Sequence, residues 1–220
     1  EGNELFYALS SHPNVEIKIY NKLNLAMPWK TQGRMHDKYL IADGKIYILG
    51  GRNTYNYFLG DFPGHKNFDR DVLVVCDEPQ KDNSVNQLLD YFETIWKQED
   101  CRYFHNSKKL ADRQSVKKAV LELQKGYQQY FEVNKEKICD TDYADETFET
   151  EKITLLSNPI HTGAKEPVVW YQLGELMKNA KERVKIHTPY IICNDMMYNT
   201  WEEIAQKVPD FSIMTNSVAN

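Results

Sequence analysis

The sequence predicts an α/β fold, a sandwich of sheet flanked by helices and assembled from two partial halves. Three observations carry that expectation. Short apolar or alternating runs are separated by stretches of helical periodicity at 84–97, 168–181 and 196–206. An Asp43-Gly44 pair stands between two strand-like runs, a strong hairpin signal. The chain of 220 residues, 41% of them hydrophobic, supplies core for one large domain or two small ones.

Residues 3–11 read as the end of a short helix because Leu5, Phe6 and Leu9 share one face. Pro13-Asn14 ends it, and 15–21 alternates like a strand. A loop through Pro28 and Gly33 leads to a strand over 38–41, and 45–49 returns after the turn. Tyr55, Tyr57 and Phe58 precede a loop containing Gly60, Pro63 and Gly64. The run 71–76 is continuously apolar after Asp71 and reads as a buried strand. Over 84–97, Val85, Leu88, Leu89, Phe92, Ile95 and Trp96 make an amphipathic helix.

Residues 101–150 change character, becoming polar and charge-rich. Val116, Val120, Leu123, Tyr127 and Tyr130 predict a helix over 107–137, followed by an acidic connection at 140–150. A second α/β pattern then starts: strand 153–156, helix 168–181, strand 184–187, helix 196–206 and strand 211–215. The expected division is a partial half over 1–100, a linker over 101–150 and a second partial half over 151–220. The opening at Glu1 and the strand-like close over 211–220 read as those of an excised fragment.

Composition narrows the function. A net charge of -5 argues against nucleic-acid binding through a broadly basic surface. Cys76, Cys101, Cys139 and Cys193 are scattered without a CxxC pair, so neither a zinc site nor a disulfide framework is indicated. No apolar run approaches the roughly 20 residues that span a bilayer. No signal peptide or glycosylation sequon is present within the chain.

The chemistry concentrates in 34–53. His36 and Lys38, at i and i+2 on a strand, point to one face. That sets a nucleophile or proton carrier beside a fixed positive charge, which suits attack on a phosphate as negative charge builds. The spacing H-x-K-x4-D-x6-G-[GS]-x-N is complete at His36, Lys38, Asp43, Gly50, Gly51 and Asn53. This segment resembles the phospholipase D superfamily. Arg52-Asn53-Thr54, Tyr57-Phe58, Phe68-Asp69-Arg70-Asp71-Val72 and the Phe92 and Trp96 pair are similar to bacterial cardiolipin synthases. Ser157-Asn158-Pro159, Thr188-Pro189-Tyr190-Ile191-Ile192 and Thr215-Asn216-Ser217 look like the opening of that family's second catalytic half. The family carries the motif twice; this chain carries it once, and the resemblance places the second copy beyond Asn220.

The resemblance implies a phospholipase D-like sandwich and a phosphatidyltransferase working through a phosphohistidine. One histidine attacks phosphorus and another protonates the leaving oxygen; His36 would take either role. Lys38 and Asn53 would hold the non-bridging oxygens. Asp71, or failing it Asp69, would accept from the other imidazole nitrogen and fix its tautomer. Asp43 reads as structural at the turn, with Gly50 and Gly51 completing the motif. Arg52 would contact a lipid head group or make a structural ion pair, and His187 is a candidate cleft residue. His65 reads as part of a solvent loop.

No metal and no cofactor is implied. The partners implied are a phosphatidylglycerol-like phospholipid, a membrane surface on the cytoplasmic side reached through parts outside the fragment, and a dimer as one source of a second motif. No nucleic acid is expected. The alternatives are a phospholipase D-type hydrolase, a phosphodiesterase or nuclease of the same superfamily, and a non-catalytic lipid- or partner-binding module. With one motif, the chain by itself is expected to be inactive.

Overall fold

A computed structural model describes residues 3–55, 57–58, 64, 66–76, 82–104 and 111–217. His65 and the opening of the helix expected over 107–137 lie outside the described residues. The chain divides into two compact units, Glu1–Leu155 with Ile160–Gly163, and Leu156–Pro159 with Ala164–Asn220.

The first unit opens with α1 (Glu4–Ser10), whose free N-terminal amides are capped by Asn3: its side-chain oxygen accepts from Leu5 N–H at 2.9 Å. Next come β1 (Lys18–Tyr20), a 3-10 turn over Pro28–Gln32, β2 (Lys38–Ala42) and β3 (Ile46–Gly50). Asp43 at φ 53° and Gly44 at φ 65° link β2 to β3, and Lys45 N–H closes the turn on the Ala42 carbonyl at 3.0 Å. Two consecutive left-handed residues give a turn whose twist matches that of the paired strands. β4 (Asp71–Val75) completes an antiparallel meander ordered β2-β3-β4.

Strand alternation sorts the sheet into two faces. One face, bearing Tyr39, Ile41, Tyr47, Leu49 and Val74, packs against Val85, Leu88 and Leu89 of α2 (Ser84–Trp96). The other face, bearing Lys38, Leu40, Ile48 and Leu73, is largely open, with Leu40 60% exposed. The strand expected to be buried at 71–76 is therefore an edge strand covered on one side. On the covered face Val74 is buried, while Val72, toward the motif end of the same face, remains exposed.

β5 (Cys101–Tyr103) pairs antiparallel with β1, a partnership of two three-residue strands. The helix of the middle region, α3 (Gln114–Cys139), is real, but only its first turns find a core. Val116 and Ala119 pack on Ala8 of α1, whereas Tyr127 and Tyr130 face solvent. The predicted strand at 153–156 does not form. Leu155 N–H instead donates to the Gln87 side chain of α2 at 2.9 Å, so the backbone is satisfied without a ladder.

The second unit contains α4 (Val168–Lys178), β6 (Arg183–His187), α5 (Asp195–Lys207) and β7 (Asp210–Met214). β6 and β7 pair in parallel across the α5 crossover, the βα alternation the sequence predicts. Val184, Ile204 and Val208 form the core, with Met177, Trp201 and Phe211 around them. Together the units give a mixed α/β protein built on small sheets. Among the described residues, no helix is long and apolar enough to cross a membrane.

Candidate active site

The motif occupies one end of the three-stranded sheet. His36 is exposed in the segment entering β2, and Lys38 is the first residue of that strand. The Lys38 ammonium lies 2.7 Å from His36 Nδ1 and 3.0 Å from Nε2, and donates to the His36 carbonyl at 2.6 Å. The i, i+2 geometry thus brings cation and imidazole into direct contact.

Asp37, between them, points to the other face. It accepts from the Tyr91 hydroxyl of α2 at 2.6 Å and ties the His-x-Lys segment to the helix beneath the sheet. Burial, followed by this hydrogen bond, raises the Tyr91 phenol far above its ordinary 10. Burial and the Asp37 charge push Tyr39 up to about 12. Sequence reading passed over Asp37. Its signal was the strand alternation that put His36 and Lys38 on the opposite face, together with a tyrosine on the inward side of a predicted helix.

Cross-strand register carries the site from β2 to β4. Lys38 pairs with Gly50, and Gly50 with Asp71, so these three residues form one row and share a face. Gly50 is needed there for space. A Cβ on it would fall 1.9 Å from an Asp71 carboxylate oxygen, and one on Gly51 would fall 2.5 Å from Asp69. The two glycines are hollows filled by the two aspartates.

Arg52 locks this arrangement. Its Nε donates to the Asp71 carboxylate at 2.6 Å, Nη1 to the Phe58 carbonyl at 2.7 Å and Nη2 to the Asp69 carbonyl at 3.1 Å. Of the two readings open for Arg52, the ion pair is the arrangement the structure contains. Asp71, expected to accept from the imidazole, accepts from Arg52, and among the described residues neither aspartate is bonded to His36. Asn53 follows half-buried, its carbonyl accepting from Tyr55 N–H at 2.9 Å.

Asp43 lies elsewhere. It holds the first left-handed position of the turn, at the far end of β2 from Lys38. Five residues at about 3.3 Å each separate it from the His36–Lys38 end, far outside hydrogen-bonding range.

His187 belongs to the second unit, where it ends β6 opposite Met214. Together with Lys185, Ile186, Ser212, Ile213 and Met214 it lines an open hollow of about 250 Å³. Lys185, two residues before it, donates to Asp210 at 2.6 Å and Ser212 at 2.7 Å, which holds the Asp210 carboxyl below the usual carboxylate range. Among the described residues no His, Cys, Asp and Glu side chains gather in a group able to hold a metal ion.

The chain is similar to two Helicobacter pylori proteins, both described as uncharacterized. The relative in strain ATCC 700392 / 26695 is 24% identical across 96% of this chain and 45% of its own length. The relative in strain J99 / ATCC 700824 is 26% identical over the same shares. This chain therefore spans about half the length of the curated relatives it matches. No protein-family model and no solved structure matches it.

Proposed function

We propose that this chain contributes one half-site of a phospholipase D-type phosphatidyltransferase, of the kind that makes cardiolipin through a phosphohistidine. The observation that carries the reading is the contact between Lys38 and the His36 ring at the end of a sheet, with Gly50 beside Lys38 in the same row. The sheet with α2 on one face would then be part of a phospholipase D-like sandwich.

The chemistry follows from the ammonium. While Lys38 donates to His36, the imidazole lone pair is occupied. An anionic phosphodiester competes for the cation through its non-bridging oxygens, and on taking it frees the ring for attack at phosphorus or for proton transfer. The P–O bond to the head-group alcohol breaks as the P–N bond forms. The departing alkoxide takes its proton from a second histidine on the opposite side. A second alcohol then reverses the steps and carries the phosphatidyl group away. Lys38 stabilises the charge on the phosphoryl oxygens in both steps. The second histidine would come from the additional length that the relatives possess, or from a second copy of the chain.

The test is to supply the intact protein with labelled phosphatidylglycerol and follow cardiolipin. His36→Ala is expected to lower the rate by roughly 10³-fold or more, as removal of a covalent or acid–base group does. Cardiolipin formation persisting at the parental rate in His36→Ala would refute the proposal. Phosphatidic acid released without cardiolipin would make water the acceptor and the enzyme a hydrolase. Nucleic-acid cleavage is disfavoured by the acidic balance of the chain.

A further inference from the structure

The segment leading into the motif has an unusual surface. Leu23, Leu25 and Trp29 are 60%, 87% and 70% exposed, and Met35, beside His36, is 41% exposed. No acidic residue falls between Glu16 and Asp37, whereas Lys18, Lys22, Lys30 and Arg34 do, in a chain whose acidic residues outnumber its basic ones 32 to 27. Lys30 reaches Asp100 at 3.5 Å, and the Lys18 ammonium sits over the Trp96 and Tyr103 rings.

The loop is built to hold these side chains outward. Asn21 is buried with φ at 45°, and its amide donates to the Lys30 carbonyl at 2.6 Å and the Gly33 carbonyl at 2.9 Å, closing the loop across its base. Within the loop, Asn24 accepts from Ala26 N–H at 3.0 Å, Met27 N–H donates to the Asn24 carbonyl at 3.0 Å, and Thr31 donates to the Pro28 carbonyl at 2.6 Å. Gly33 abuts Thr162 so closely that a Cβ would lie 2.8 Å from its Cα. These bonds hold the loop together from within, while a tryptophan and two leucines stand in water at real cost.

We propose that this loop, Lys22 to Trp29, is an interfacial anchor that docks on the surface of a bilayer containing anionic phospholipid. An indole and aliphatic side chains with lysines alongside match the boundary between acyl chains and head groups, and the local positive charge complements the anionic surface. His36 follows Trp29 by seven residues, a reach of at most about 25 Å, and exposed Met35 stands beside it, so docking would keep the imidazole on the bilayer-facing segment. The inference rests on the reading of the site as one acting on phospholipid. It differs from the sequence expectation in placing the membrane contact within this chain.

The test uses the intact protein with vesicles of phosphatidylcholine alone and of phosphatidylcholine mixed with phosphatidylglycerol. The parent is expected to sediment with the mixed vesicles, less so as salt rises, and to be quenched by brominated lipid through Trp29. The Leu25→Ser/Trp29→Ser double variant should partition roughly tenfold or more weakly, because two large apolar groups no longer leave water. Since both side chains are exposed, its circular dichroism should be unchanged.

Equal partitioning of parent and variant, or no preference for the anionic vesicles, would overturn the inference. So would protection of Trp29 from acrylamide before any lipid is added, which would show that another segment or a second copy covers the loop. The two readings fail separately. His36-dependent transfer on detergent-dispersed lipid without vesicle binding sinks the anchor alone. Vesicle binding without His36-dependent transfer sinks the reaction alone.

Discussion

Replacing Gly50 with alanine tests the packing at the end of the sheet most directly. The added Cβ would stand 1.9 Å from an Asp71 carboxylate oxygen, 2.7 Å from its Cγ and 2.9 Å from the Arg70 carbonyl. Restoring ordinary contact requires the carboxylate to move by about 1.5 Å. That movement is incompatible with the 2.6 Å Arg52–Asp71 hydrogen bond. Since both side chains keep about a fifth to a third of their surface in water, the bond is worth only about 1–2 kcal/mol. Crowding against the Arg70 carbonyl, which cannot swing aside like a side chain, adds about 1 kcal/mol.

Gly50→Ala should therefore cost about 2–3 kcal/mol in urea denaturation. Once Asp71→Ala has removed the carboxylate, the same change should cost only about 1 kcal/mol, a coupling of about 1–2 kcal/mol in the double-mutant cycle. Additive effects, agreeing within about 0.5 kcal/mol, would show that Gly50 is not shaped by Asp71 and would refute the argument.

Other consequences can be measured in the same way. Tyr91→Phe removes the 2.6 Å bond to Asp37 and should cost about 1 kcal/mol while slowing any His36-dependent transfer, because the His-x-Lys segment loses its tie to α2. Between pH 10 and about 12 the unfolded chain has given up tyrosine protons that folded Tyr39 retains, so stability present below pH 10 should be lost across that window. Tyr39→Phe should flatten the fall in urea midpoint, and an unchanged slope would contradict the assignment. Asn21→Ala removes two hydrogen bonds at a left-handed position and should destabilise by about 2–3 kcal/mol, with Asn21→Gly recovering only the backbone share. A loss below about 0.5 kcal/mol from Asn21→Ala would mean that the loop base does not depend on it.

Elements whose signals are local were legible. The Asp43-Gly44 turn, α2 and the β6–α5–β7 alternation follow from turn chemistry and periodicity over a few residues, and they occur where the sequence predicts them. The burial of β4 was misread because a continuous apolar run does not reveal whether one face or both will be covered. The strand at 153–156 failed for a related reason: apolar character marks a contact with α2 as readily as a place in a ladder. The apolar spacing along α3 was real, but burial needs a partner, and α1 spans only its first turns.

The site divides along the same line. Sequence alone determined that His36 and Lys38 stand two residues apart at the entry to a strand and that a glycine pair follows at a set distance, because both are matters of local spacing. Only the tertiary structure decided that Asp69 and Asp71 fill the space above the two glycines, that Arg52 engages Asp71, and that Asp37 is held by Tyr91. Those partners lie 18 to 54 residues apart, and strand register and helix placement, which no local pattern encodes, bring them together.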